Sequence, residues 1–136
     1  MSFLLDTVTV SESTKRKPNS KVIGWFQTVA DEQLHLSALT IGEIAYGIER
    51  LSRGADRTRL EDWLEHKLLP WLGSRVWTVD EKICRRWASL RTAYPDARPI
   101  DALIASTALV HGFTVVTRNV KDFAFEGLSV FDPWNG

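Results

Sequence analysis

Apolar residues recur along this chain in short runs separated by longer stretches of helical periodicity. Phe3-Leu4-Leu5 is a continuous apolar run, and residues 2–6 read as a short buried strand closed by Asp6. Ser11 to Lys17 is polar and basic, the pattern of a loop or a frayed turn. Pro18 then suits the first position of a helix reaching about Ala30, with Val22, Ile23, Trp25, Phe26 and Val29 on one stripe. Leu34 to Leu39 is a second strand candidate. Thr40-Ile41-Gly42-Glu43 has the form of a capping box opening a helix to about Arg53, where Gly54 stops it. Residues 55–72 repeat a helical stripe through Leu60, Trp63, Leu64, Leu68 and Leu69, with Pro70 near the end.

Arg75 to Val79 is a third strand, and Asp80 caps the helix that carries Ile83, Cys84, Trp87 and Leu90. Tyr94 to Arg98 is a loop. Pro99 opens a helix ending at Gly112, a residue suited to a left-handed cap. Phe113–Thr117 and Leu128–Phe131 are the last strands, the second closed by Pro133. Strands alternating with helices predict an α/β fold, a parallel β-sheet flanked by helices, in a single compact domain over residues 1–136. The extra helical stretch between the second and third strands makes the alternation imperfect.

Composition changes this picture little. At 44% hydrophobic and 25% charged, the chain has the balance of a soluble globular protein. No apolar run approaches the about 18–20 residues that span a bilayer. The short apolar start before Asp6 is not that of a signal peptide. Cys84 is the only cysteine, so no disulfide forms within the chain and a reducing cytoplasm is the expected home. Seventeen basic residues balance seventeen acidic ones. A nucleic-acid substrate would therefore be held by local patches or a metal rather than by a basic coat. Lys15-Arg16-Lys17 with Lys21, Arg85-Arg86, and Arg118 with Lys121 are such patches, and each reads first as solvated surface.

The candidate chemistry lies in four acids at the ends of apolar segments: Asp6, Glu43, Asp101 and Asp122. In an open parallel sheet the strand ends and the following helix starts share one edge, where ligands bind. Carboxylates gathered there repel, and a divalent cation relieves the repulsion. Magnesium or manganese on hard oxygen ligands would suit phosphodiester hydrolysis, activating a water and neutralising charge on the phosphate. Each acid also has a plain structural reading. Asp6 could accept turn hydrogen bonds, Glu43 could complete the capping box with Thr40, Asp101 could favour its helix dipole, and Asp122 could cap a turn. His35, His66 and His111 lack metal-ligand spacing, and the six tryptophans fit core positions.

Four blocks in order resemble the PIN-domain ribonucleases and, within them, the VapC-like toxins of toxin–antitoxin pairs. They are Leu4-Leu5-Asp6-Thr7 with Ser11-Glu12; Ser37 to Leu51 around Glu43; Asp101-Ala102-Leu103-Ile104-Ala105 with Ala108-Leu109 and His111-Gly112; and Thr117-Arg118-Asn119-Val120-Lys121-Asp122-Phe123. Val130 to Trp134 resembles the closing strand. The family commonly has asparagine where Val8 stands, which removes a polar group but no carboxylate; the third block begins with Pro99-Ile100, a variant of the pattern. The resemblance implies a PIN-like sheet and an endoribonuclease dependent on Mg2+ or Mn2+. Asp6 and Asp101 would be the principal metal ligands, with Glu43 and Asp122 joining through waters or a second ion. Thr7, Thr117 and Asn119 would support the cluster, and Arg118 and Lys121 would meet RNA phosphates. It further implies a cognate antitoxin and a homodimer or toxin–antitoxin hetero-oligomer, with no membrane association. The apolar helices in residues 18–30 and 40–72 are candidates for those contacts. Two other readings stand beside it: a PIN-like module that binds RNA or a partner with weak or lost cleavage, and a phosphoacceptor receiver domain. The second of these would want adjacent acids after the first strand, whereas Thr7 follows Asp6.

Overall fold

Five apolar runs form five parallel strands, β1 (Phe3–Leu5), β2 (Leu34–Ser37), β3 (Val76–Trp77), β4 (Thr114–Val116) and β5 (Val130–Phe131). In this computed structural model, which describes residues 1–136, they lie side by side in the order β3-β2-β1-β4-β5. The chain starts at the central strand, works outward to β3, then returns to the other side of β1 through β4 and β5. The order reverses between β1 and β4, and such a reversal leaves a crevice at the carboxyl ends of the two strands. A receiver-type sheet, ordered 2-1-3-4-5, is a different winding.

Between the strands run α1 (Thr7–Ser11), α2 (Ser20–Thr28), α3 (Ala38–Glu49), α4 (Ala55–Trp63), α5 (Leu69–Leu72), α6 (Glu81–Ala93) and α7 (Pro99–His111). Successive side chains on a strand point to opposite faces, so a strand covered on both sides must be apolar throughout. Phe3, Leu5 and Val116 turn to one face and pack with Ile44 and Ile48 of α3 and with Leu64, Leu68 and Leu72 beyond it. Leu4 and Val115 turn to the other, against Leu90 of α6 and Ala102, Ile104, Ala105 and Ala108 of α7. The alanines on α7 are fully buried, and their small side chains let this helix lie close on the sheet.

All five strand runs are where the apolar pattern puts them, and Asp80 caps α6 by accepting the Ile83 N–H at 3.0 Å. Gly112 ends α7 with φ of 72°, the left-handed conformation glycine adopts without strain. Several boundaries differ from expectation. A helix starts directly after Asp6, whose carboxylate caps it; only five residues long, α1 gives periodicity too little chain to register. Asn19 rather than Pro18 starts α2, accepting from the Lys21 and Val22 N–H groups at 2.9 and 3.3 Å. The second strand ends at Ser37, whose hydroxyl accepts the Leu39 N–H at 3.1 Å and begins α3 there. Thr40 is therefore inside the helix, and Thr40 and Glu43 form no capping box. Helix α3 ends at Glu49, before Gly54, which instead precedes α4. Residues 55–72 are helical as expected, but the turn Leu64–Leu68 is widened. Pro70 lacks an N–H and its ring crowds the carbonyl four residues earlier, which a wider turn relieves.

An aromatic cluster joins β2, β3 and the residue leading into β4 on the α6–α7 side. The Trp77 indole N–H donates to His35 Nδ1 at 3.0 Å, and the His35 ring stacks on Phe113 at 4.7 Å. Burial holds the His35 imidazole below its ordinary 6.5, the positive charges of Arg75 and His111 act the same way, and the Glu32 backbone opposes them. The unfolded chain thus takes up the His35 proton more readily than the folded one. Stability should be fullest above 6.5 and should fall as pH drops through and below that value. Thermal melts of the native chain and of His35→Gln across this range check it: the variant should lose that part of the slope, and identical slopes would refute the assignment.

Candidate active site

The sheet's reversal point carries the first acid. Leu5 pairs with Val116, and the Asp6 N–H donates to the Val116 carbonyl at 3.1 Å, so Asp6 leaves the sheet at the crevice between β1 and β4. Its carboxylate is nearly buried, 7% exposed. Oδ1 accepts the Thr9 N–H at 2.9 Å and the Thr9 hydroxyl at 2.8 Å, while Oδ2 accepts a short hydrogen bond from the Thr117 hydroxyl. Thr117 is placed by β4, and its oxygen also accepts the Asn119 N–H at 3.0 Å.

The other three acids arrive from separate elements. Helix α3 brings Glu43, which accepts the Thr7 hydroxyl at 2.9 Å. Asp101 stands in the first turn of α7, whose amino end faces this edge because α7 runs antiparallel to the strand it feeds. Asp122 comes from the short turn Val120–Phe123 after β4. All four line one cleft of about 400 Å³ with Thr7, Val8, Arg98, Ile104 and Asn119. Residues spread over 117 positions of sequence thus meet at one mouth, as the acid pattern anticipates.

Burial is the main reason that the Asp101 carboxyl sits above its ordinary range; Arg98 pulls it back, and the negative charges of Asp122 and Asp6 add to the rise. Arg98 spans two acids: Nε donates to Asp101 Oδ2 at 3.1 Å and Nη2 to Asp122 Oδ2 at 3.0 Å. Its own ionisation is pushed up by Asp101 and Asp122. Two residues here escaped the sequence pattern. Thr9 stands between Val8 and Val10 with no acid of its own, although a hydroxyl three residues past a helix-capping Asp is a signal that could have found it. Arg98 lies in a loop, and its position before Pro99-Ile100-Asp101 is the only hint of its contacts.

Among the expected supporting residues, Thr7, Thr117 and Asn119 touch the acids or line the cleft. The two expected phosphate contacts lie outside its wall. Arg118 sits over the Trp134 ring, 5.5 Å from its centre, and Lys121 lines a neighbouring depression with Tyr94, Asp96 and Phe125. Glu12, in the first sequence block, is 2% exposed and does not line the cleft. It accepts the Asn19 N–H at 2.9 Å and pairs with Lys15 at 3.0 Å. Burial pushes its carboxyl up, but Asn19, Lys15 and Arg118 outweigh burial and hold it below the usual value. Glu12 pins the connection between α1 and α2.

The donor set is hard oxygen throughout, the kind a magnesium-sized ion takes, and such an ion needs only one or two protein carboxylates besides waters. No three carboxylates converge on a single ion position. Arg98 stands between two of them instead. The residues fit a divalent ion in chemistry, with the guanidinium now supplying the positive charge.

The PIN domain model matches residues 3–124 of this sequence. The chain belongs to the PIN domain family. "VapC ribonuclease Y4jK" of Sinorhizobium fredii is 36% identical over 97% of this chain and 97% of its own length. "Toxin FitB" of Neisseria gonorrhoeae is 33% identical over 98% of this chain and 99% of its own. The crystal structure of FitAcB from Neisseria gonorrhoeae superposes with a TM-score of 0.93 at 32% identity, covering 98% of this chain and 99% of that one. Within the PIN family the chain is therefore similar to a VapC ribonuclease and to the toxin FitB, and it shares the fold of the FitAcB structure. No helix is long and apolar enough to cross a membrane.

Proposed function

We propose that this PIN-domain protein is a metal-dependent endoribonuclease, the toxin of a toxin–antitoxin pair, hydrolysing RNA phosphodiester bonds at the acidic cleft. The observation that carries the reading is the meeting of Asp6, Glu43, Asp101 and Asp122 at the crevice between β1 and β4. Asp6 and Asp101 would hold Mg2+ or Mn2+, with Glu43 and Asp122 reached through waters or a second ion. Such an ion supplies activation of water and neutralises charge developing on the phosphate. The chain's own groups do the rest. Thr9 and Thr117 fix both oxygens of Asp6, and Thr7 orients Glu43, which is free on its other oxygen to hold a water or accept its proton. Arg118 and Lys121, exposed beyond the cleft wall, would meet RNA phosphates away from the cut, where each contact makes affinity more salt-dependent.

A cognate antitoxin would restrain this activity by laying a basic side chain across the carboxylates, forming a charge-assisted contact where the ion otherwise sits. Helices α2 and α4 leave an apolar groove lined by Val10, Ile23, Phe26, Trp63, Leu68 and Trp71, which would seat the apolar part of that antitoxin. A homodimer or a toxin–antitoxin hetero-oligomer and a cytoplasmic location belong to the same reading. Purified, antitoxin-free protein should cleave RNA with Mg2+ or Mn2+ and stop on chelation. Failure to cut a broad RNA panel with either ion would overturn the enzyme. Val8 presents an apolar side chain at the cleft mouth and favours one alternative, a PIN-like module that binds RNA or a partner without efficient turnover. Retained RNA binding in the absence of cleavage would select it.

A further inference from the structure

We infer that Arg98 is a built-in counter-ion that any divalent cation must displace from Asp101 and Asp122, so that this one side chain sets how much metal the site requires. The inference rests on the metal-site reading above and adds a regulator to it.

Local backbone puts Arg98 in place. Pro99 disfavours helical geometry in the residue before it, and Arg98 is extended, with φ of −67° and ψ of 134°. Helix α7 starts on the next residue, so Asp101 follows in its first turn, within reach of the Arg98 side chain. The guanidinium then takes one oxygen from each of two acids that belong to different elements, at 3.1 and 3.0 Å. A planar fork suits this two-oxygen grip better than a point charge does.

Two observations make the contact a competitor rather than a fixed part of the fold. Arg98 is 70% exposed on its side chain, so charge holds it there and packing does not. Asp101 and Asp122 are mostly covered, 18% and 27% exposed, and have no other cationic partner. An ion taking these Oδ2 oxygens must break both hydrogen bonds, and one settling on the Oδ1 oxygens must still accept the positive charge of Arg98 nearby. Exposed ion pairs are individually weak, so the barrier is a threshold rather than a block. The expected penalty on ion affinity is about three- to tenfold.

Titrating Mn2+ by calorimetry into antitoxin-free wild type, Arg98→Gln and Arg98→Lys at low salt tests this without reference to cleavage. Arg98→Gln should bind Mn2+ about three- to tenfold more tightly, Arg98→Lys should stay closer to wild type, and added salt should narrow the gap. In parallel melts, Arg98→Gln should gain more stability from Mn2+ than wild type does. Wild-type binding that Arg98→Gln leaves within twofold, or weakens, overturns the role of Arg98 alone. Absence of Mn2+ binding in all three proteins overturns the metal site and this inference with it.

Discussion

Asp101→Asn should abolish RNA cleavage while leaving the fold intact, and Asp6→Asn should abolish cleavage as well. The asparagine keeps the size and one acceptor oxygen but removes the charge that a divalent ion answers. The loss should exceed the about 10- to 100-fold that follows removal of a group merely orienting a ligand. Asp101 is the cleaner of the two. It contacts only Arg98 and sits at a helix start, where loss of its charge costs a few tenths to about 1 kcal/mol of stability. Asp6 also caps α1, so its replacement combines a functional and a structural loss. Asp80→Ala supplies the contrast: that acid caps α6 on the Ile83 N–H, away from the cleft, and its loss should cost about 1 kcal/mol with cleavage unchanged. Initial cleavage rates with saturating Mn2+, beside circular dichroism and melting curves, separate the two kinds of aspartate. Asp101→Asn retaining rates near wild type would remove the acidic cleft from the chemistry.

That contrast also marks what the sequence could convey. Both Asp80 and Asp101 stand at helix starts, and nothing local tells a cap from a ligand. The strands were legible because a sheet covered on both faces demands unbroken apolar runs, and Leu4 and Leu5, facing opposite cores, show that demand directly. The meeting of the four acids was legible because strand ends of a parallel sheet share an edge, so acids at those ends could be expected to come together. Glu43 resisted local reading: the Thr40-x-x-Glu43 spacing imitates a capping box, yet Ser37 captures the helix start and leaves Glu43 facing Thr7 from a different element. Thr9 and Arg98 were hidden for the same reason. Their partners are set by tertiary placement, Thr9 reaching the Val116 carbonyl across 107 residues and Arg98 reaching Asp122 across 24. Helix α1 was missed because five residues cannot display a period of 3.6.

Thr117→Val should lower cleavage by about 10- to 100-fold, because its hydroxyl orients Asp6, and should cost about 1–3 kcal/mol of stability, because Asp6 Oδ2 loses its one hydrogen bond in a nearly buried place. Valine keeps the β-branched shape that suits residue 117 at the end of β4, and the position is fully buried, so packing changes little. What disappears is the donor to Asp6 Oδ2 and the acceptor for the Asn119 N–H. Asp6 keeps its two bonds from Thr9 on the other oxygen and stays attached, but Oδ2 is no longer aimed from β4 toward the acids of α3 and α7. Thr117→Ser restores the hydroxyl and should recover most of the rate. Thr9→Val should be milder: that hydroxyl bridges Asp6 Oδ1 and the Val116 carbonyl, but Oδ1 keeps the Thr9 N–H and the carbonyl keeps the Asp6 N–H, so its loss should cost about 0.5–1.5 kcal/mol and less of the activity. Mn2+ affinity by calorimetry, read beside the melting temperature of each variant, tells orientation from stability. Thr117→Val that binds Mn2+ and cleaves like wild type would show that Asp6 needs no guide from β4, and that the crevice between β1 and β4 is the route of the chain and no more.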